Sequence, residues 1–428
     1  MSLIKDLNEL VEANIISEDI AGKIQAYYTK KENSSPNKLF IAFGILGALL
    51  IGLGIILIIA HNWDSLSKIT KSVISFVPLV VGQLICAFVI LKKNTNKTWI
   101  EASSVFLFFA VGASISLISQ IYNIPGNIAS YTITWMLLCL PIVYLMKANT
   151  IALLYIIGST FYACELGYWN YPNITPYNYW FLLLLILPSY YFLYKKNPKS
   201  NFLIFYNWLI PISLVISLGT VTNNYSEIMF AAYLSLFGIF YLIGNSIYFK
   251  EQNLRNNSFL VISSIGSIGM LLSLSFSWYW DNLLKIEFQF NHLKDFTEII
   301  ATTILSIGAL ILLLKNFNKQ FIKNSILLEF VFILFILSFF YGLKYSFSVI
   351  FINLIIFAIG ILTIKKGEQK NHFGILNFGL LIITALVICR FFDTDLSFVI
   401  RGLLFVCVGI GFFITNYWML KKRKANEK

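Results

Sequence analysis

The chain has 428 residues, of which 58% are hydrophobic, 17% aromatic and only 12% charged, and its mean hydropathy is +0.77; soluble domains carry about 25% charged residues. This composition excludes an ordinary soluble enzyme and defines an all-α polytopic membrane protein. The formal charge of +12 does not point to nucleic acid, because the basic residues sit between apolar runs in ones to threes and form no stripe interleaved with stacking aromatics.

In chain order, residues 1–37 come first, and they are polar. Leu3, Leu7, Leu10 and Val11 recur at helical spacing, and Ser17 before Glu18 and Asp19 is a helix N-cap with an acidic first turn. A second helix would carry Ile20, Ile24 and Tyr27 on one face. The pattern predicts a cytoplasmic two-helix hairpin, too small to hold a core alone. It would dock on the membrane part, on a second copy of the chain, or on a cytoplasmic partner.

Leu39 to Ala60 follows without a single charge, long enough at about 1.5 Å per residue to cross a hydrocarbon core of about 30 Å. Gly44, Ala48 and Gly52 lie four apart on it, a small-residue face that lets another helix approach closely, so this span is expected at the centre of the bundle. Further apolar runs fall near 72–91, 102–121, 130–146, 149–168, 178–194, 201–221, 226–248, 258–279, 298–314, 324–341, 346–364, 372–390 and 396–419. Together they predict a bundle of about fourteen transmembrane helices over residues 38–420, with a basic tail at 421–428. Pro78, Pro141, Pro188 and Pro211 lie inside runs and predict kinks. No broken-helix pair stands out. The segment from Asp281 to Phe296 alternates polar and apolar residues, as a short strand or an interfacial segment would.

Sidedness follows from the basic residues. With a cytoplasmic N-terminus, the inner segments receive the leader lysines, Lys92, Lys93, Lys97, Lys147, Lys195, Lys196, Lys199, Lys250, Arg255, Lys315, Lys319, Lys323, Lys365, Lys366, Lys370 and the tail. Lys68, Lys71, Lys285, Lys294, Lys344, Arg390 and Arg401 fall outside or in outer helix ends. The bias places both termini in the cytoplasm.

Ionisable residues within spans cost roughly 2.5–3.5 kcal/mol on insertion scales, so each needs a partner or a wet cavity. At the expected outer ends lie His61, Asn62, Trp63 and Asp64, then Gln120 and Tyr122, then Glu165, then Arg390, Asp393 and Asp395, with Arg401 about a turn inside the last run. Arg390 and Asp393 are three apart and would share a helix face. These residues are expected to form one outward-facing polar pocket for a polar or anionic solute; the plainer alternative is that each is an ordinary interfacial residue. Glu101 and Glu329 are the inner embedded carboxylates, candidates for proton coupling.

Other chemistries lack their motifs. There is no phosphate-cradling Gly-rich loop with Lys-Ser/Thr, no Gly-x-Ser-x-Gly elbow, and His61, His292 and His372 make no metal site. Cys86, Cys139, Cys164, Cys389 and Cys407 have no CxxC spacing and read as small buried hydrophobes. No catalytic residue, metal or cofactor is expected.

The leader, the stretch GILGALLIGLGIILIIAHNWD (44–64), ISQIYNIPG (118–126), Trp135 and Leu140-Pro141 resemble the predicted membrane proteins grouped as domain-of-unknown-function family 2157. CRFFDTDLSFVIRGLLFVCVGIGFFI (389–414) resembles the closing helices of the same group. The resemblance implies a bacterial inner-membrane protein and marks Asn62, Trp63, Asp64, Gln120 and Tyr122, without assigning them a role. The first functional expectation is a permease-like transporter. The alternatives are a membrane enzyme or flippase acting on lipid-linked intermediates, and a scaffold or sensor working through the leader hairpin.

Overall fold

The computed structural model describes residues 15–33, 63–170, 172–198, 200–246, 252–286, 296–316, 327–345 and 347–391, with isolated positions and short pieces at 11, 249 and 397–417. Among the described residues every regular element is helical. Contacts divide the chain into two units, Met1–Ile74 and Ser75–Lys428. In the first, α1 (Glu18–Asn33) opens with Glu18 and Asp19 in its first turn, and Lys23 Nζ meets Asp19 Oδ2 at 2.6 Å. The other half of the expected hairpin and the 39–60 span lie outside the described residues.

The long helices begin with α2 (Lys68–Lys92), whose first two turns belong to the first unit. Then follow α3 (Lys97–Ile121), α4 (Ile128–Met146), α5 (Asn149–Cys164), α6 (Tyr177–Lys196), α7 (Asn201–Gly219) and α8 (Ser226–Gly244). After these come α9 (Ser258–Leu274), α10 (Ser277–Lys285), α11 (Thr297–Asn316), α12 (Val331–Gly342), α13 (Ser348–Gln369) and α14 (Phe373–Phe391). Among the described residues nine helices are long and apolar enough to cross a membrane, or ten if the bent pair α9 and α10 is one span. Of the fourteen expected runs, 39–60 and most of 396–419 lie outside the described residues, and two others fall short for physical reasons. Tyr177, Tyr179, Tyr190, Tyr191 and Tyr194 make α6 less apolar, and the 324–341 run yields only the short α12 after a 3-10 turn at Leu327–Glu329. Pro78, Pro141, Pro188 and Pro211 are each accommodated inside a continuous helix.

The 258–279 run is not one continuous helix. It breaks at Ser275-Phe276 and turns by 69° into α10, which buries Tyr279, Trp280 and Leu283 and exposes the rest of its surface. A broken pair is therefore present where the apolar pattern shows none. Ser275 directs its hydroxyl to Leu272 O (2.6 Å), Trp280 Nε1 donates to Leu274 O (2.9 Å) and Asn353 Nδ2 donates to Ser275 O (3.2 Å). The carbonyls freed by the break are thus paired, which is what lets a span break inside a bundle.

Contacts at helix ends show that each successive crossing from Ser75 onward runs opposite to the one before. At one end Glu101 meets the start of α5, Trp208 Nε1 donates to Arg255 O, and Gly244 abuts Leu260. At the other, Thr175 meets Asn223, Tyr279 donates to Glu227 O, and Gly342 abuts Trp280. The first end holds Lys92, Lys93, Lys97, Lys147, Lys195, Lys196, Arg255, Lys315, Lys365, Lys366 and Lys370, and is called the basic end below; the opposite end holds Lys285, Lys344 and Arg390.

Two large apolar cores fill the second unit. One gathers Met136, Tyr155, Tyr179 and Tyr206 from the earlier helices, and the other gathers Trp280, Phe335 and Ile356 from the later ones. A seam at Leu218, Met229, Phe237 and Phe259 lies beside them. Among the described spans α8 is the most buried, packed by α7, α9, α11 and α12.

The closest helix pair is α13 against α14. A Cβ on Gly379 would fall 2.7 Å from the Ile364 amide nitrogen and 2.9 Å from Gly360 O, so only glycine lets the backbones approach so closely. Gly379→Leu is expected to push the pair apart and cost about 1–3 kcal/mol, read as a lowered thermal midpoint of the purified protein. Gly269→Leu, where nothing lies within 4 Å, is expected to leave that midpoint in place.

Candidate functional site

The polar chemistry collects at helix ends. Glu298, fully buried in the first turn of α11, accepts three backbone N–H groups on Oε1, from Asn223 (2.6 Å), Asn224 (2.8 Å) and Tyr225 (3.1 Å). These N–H groups lead into α8, and a helix start leaves such donors without intrahelical partners and carries a partial positive charge. At the basic end Glu101 does the same for α5: Oε1 accepts from Asn149 N (2.9 Å) and Oε2 from Thr150 N (2.8 Å). Both carboxylates cap a neighbouring helix rather than their own. Glu329, expected as the second inner carboxylate, is buried in the 3-10 turn before α12.

Arg390, near the end of α14, reaches the α9–α10 break. Its Nη2 donates to Ser275 Oγ (3.1 Å), and its guanidinium carbon lies 4.9 Å from the centroid of the Phe276 ring, a cation–π position. The first turn of α10 has no side-chain cap. An uncapped helix start beside a guanidinium offers N–H dipoles and a positive charge to the same volume.

Of the other expected site residues, Glu165, Gln120 and Tyr122 lie at the ends of the earlier helices α5 and α3. Glu165 is half-buried and opens a π-helical turn, Glu165–Trp169, that prolongs α5. Gln120 and Tyr122 are exposed at the end of α3, where the Tyr122 N–H bonds to the Gln120 and Ile118 carbonyls. Trp63 and Asp64 form a 3-10 turn in the first unit, with Lys71 Nζ 5.8 Å from the Trp63 ring centroid. His61, Asn62, Asp393, Asp395 and Arg401 lie outside the described residues. Ser275, Phe276, Asn353 and Glu298 are sites that sequence reasoning missed. Three serines alternating at 273, 275 and 277 were the one local sign of the break.

A groove of about 1250 Å³ lies between α2, α3, α4 and α5. Phe108, Phe109, Leu138, Leu154, Ile157 and Phe161 line it along the spans, and Ser116, Ser119, Asn127, Ser130 and Thr134 line it toward the opposite end. Trp135 fixes its wall, donating Nε1–H to Phe108 O (2.8 Å) while its ring lies where a Cβ on Gly112 would fall. Among the described residues no three His, Cys, Asp or Glu side chains assemble into a metal-binding group, so the chemistry on view is hydrogen bonding and charge.

These apolar helices define a multi-pass membrane protein embedded in the lipid bilayer. Residues 8–152 match the family model described as "Predicted membrane protein (DUF2157)", a stretch that includes α2, α3 and α4 and most of the groove lining. No curated protein and no solved structure matches the chain.

Glu298→Ala would strand three N–H groups at the start of α8 and is expected to cost about 2–4 kcal/mol. Glu101→Ala removes a cap from a single helix and is expected to cost about 1–2 kcal/mol. Thermal unfolding of the purified variants checks both values and their order; equal midpoints for wild type and Glu298→Ala would refute the capping role.

Proposed function

We propose that this chain is a permease-like protein of a bacterial inner membrane that binds a polar or anionic solute at the α9–α10 break. The observation that carries the reading is the 69° bend with Arg390 beside it. Discontinuous helices whose half-helix N-termini face the substrate are a recurrent way for secondary transporters to hold anionic groups. The guanidinium supplies charge and a planar fork of donors, and the uncapped first turn of α10 supplies aligned N–H groups. Both oxygens of Glu101 are held by helix N–H groups, so Glu329 is the better placed carboxylate for proton coupling.

The lysine-rich basic end faces the cytoplasm in this reading, as the positive-inside bias favours, and the break opens toward the outside. The enzyme alternative receives less support, since among the described residues the break offers binding groups without a nucleophile and base in hydrogen-bond reach of each other.

Cells lacking the protein and complemented at equal membrane abundance with wild type, Arg390→Lys or Arg390→Leu test the reading. Wild type is expected to restore the distribution of an anionic metabolite between cells and medium. Arg390→Leu is expected to fail, and Arg390→Lys to restore it partly, because an ammonium keeps the charge but loses the fork. Full restoration by Arg390→Leu would refute the proposal.

A further inference from the structure

A second polar group at the α9–α10 break limits what an anion held by Arg390 can carry. The register of the tight α13–α14 pair sets that group, Asn353, opposite Arg390. A Cβ on Gly367 would fall 2.5 Å from Leu376 N, one on Gly379 2.7 Å from Ile364 N, and one on Gly360 2.6 Å from Ile383 Cγ1. The three pairs share one antiparallel register, and about two helical turns beyond Gly360 and Ile383 it brings Asn353 against Arg390. Both side chains reach the same residue of the break: Arg390 Nη2 donates to the Ser275 hydroxyl (3.1 Å) and Asn353 Nδ2 to the Ser275 carbonyl oxygen (3.2 Å).

The orientation of the Asn353 amide is fixed by its partners. Its hydrogens go to Ser275 O and to Val349 O (2.7 Å); turning the amide over would set its oxygen against two carbonyl oxygens. Oδ1 therefore faces elsewhere, and it is buried without a hydrogen-bond partner among the described residues. A buried acceptor left unpaired is destabilising. Asn353 keeps part of its surface exposed, so a donor has an edge from which to reach Oδ1 when side chains rearrange on binding. An anion that brings only acceptors, such as a halide or a plain carboxylate, satisfies Arg390 and leaves Oδ1 unpaired. An anion with an O–H or N–H donor close to its charge satisfies both.

We propose that the solute at the break is a small carboxylate with a hydroxyl or ammonium group on the neighbouring carbon, a hydroxy acid or an amino acid, its carboxylate on the Arg390 fork and its donor on Asn353 Oδ1. This class rests on the reading that Arg390 holds an anion there. Isothermal titration of the purified full-length protein with propionate, lactate and alanine tests it, because the three share a carbon skeleton and differ in what the carbon beside the carboxylate bears. Lactate or alanine is expected to bind about tenfold tighter than propionate, and the tighter of the two tells a hydroxy-acid site from an amino-acid site. Arg390→Leu is expected to remove binding of all three. Asn353→Leu, close in volume but without the acceptor, is expected to bring the preferred ligand down to the affinity of propionate, while propionate binding itself reports that the site is still formed. Equal binding of all three by wild type, lost in Arg390→Leu, would overturn the proposed class and leave the Arg390 reading standing, and a preference that survives Asn353→Leu would do the same. No binding of any of the three would overturn both.

Discussion

Backbone N–H groups at a helix start have nowhere to go in hydrocarbon, and the fold depends on how this chain answers that demand. Glu298 takes three of them before α8, and Glu101 takes two at the start of α5. Elsewhere the answer is local: Asn127 and Ser130 form a capping box on α4, Asn96 caps α3 and Asn257 caps α9. The two carboxylates differ from the local caps in reach, since each ties the start of one span to a helix far away in sequence. Glu298 thereby fastens α11 to α8, the most buried of the described spans.

The same rule explains how a span can break. At Ser275-Phe276 the chain leaves the helix without proline or glycine, and the carbonyls it frees are taken by Trp280 and Asn353 while Arg390 binds the Ser275 hydroxyl. The break is thus supported by α10, α13 and α14 together. Its charge contrasts with the groove at the other core, where hydroxyls and amides lie among apolar walls.

Much of the helical layout is legible in the hydropathy of the chain. The runs near 72–91, 102–121, 130–146, 149–168, 201–221, 298–314, 346–364 and 372–390 each coincide with a helix, because a bilayer demands apolar length and little else. What stays hidden depends on partners distant in sequence. Glu298 reads as an ordinary acidic first turn, and nothing nearby announces that its acceptors serve residues 223–225. Arg390 is conspicuous, but nothing near it announces the Ser275 hydroxyl and the Phe276 ring, which come from a part of the chain distant in sequence; its expected partner Asp393 lies outside the described residues. The break escaped notice because Ser273, Ser275 and Ser277 scarcely interrupt an apolar run.

The alternation of crossings, and the proposal that the lysine-rich end faces the cytoplasm, are open to one direct measurement. In a cysteine-free background, single cysteines at Lys93 and Lys370 mark the basic end, and single cysteines at Ile124 and Lys344 mark the other. A membrane-impermeant maleimide should label the second pair in intact spheroplasts and the first pair only in inverted vesicles. Labelling of Lys93→Cys and Ile124→Cys from the same side, or of Lys344→Cys and Lys370→Cys from the same side, would contradict the account.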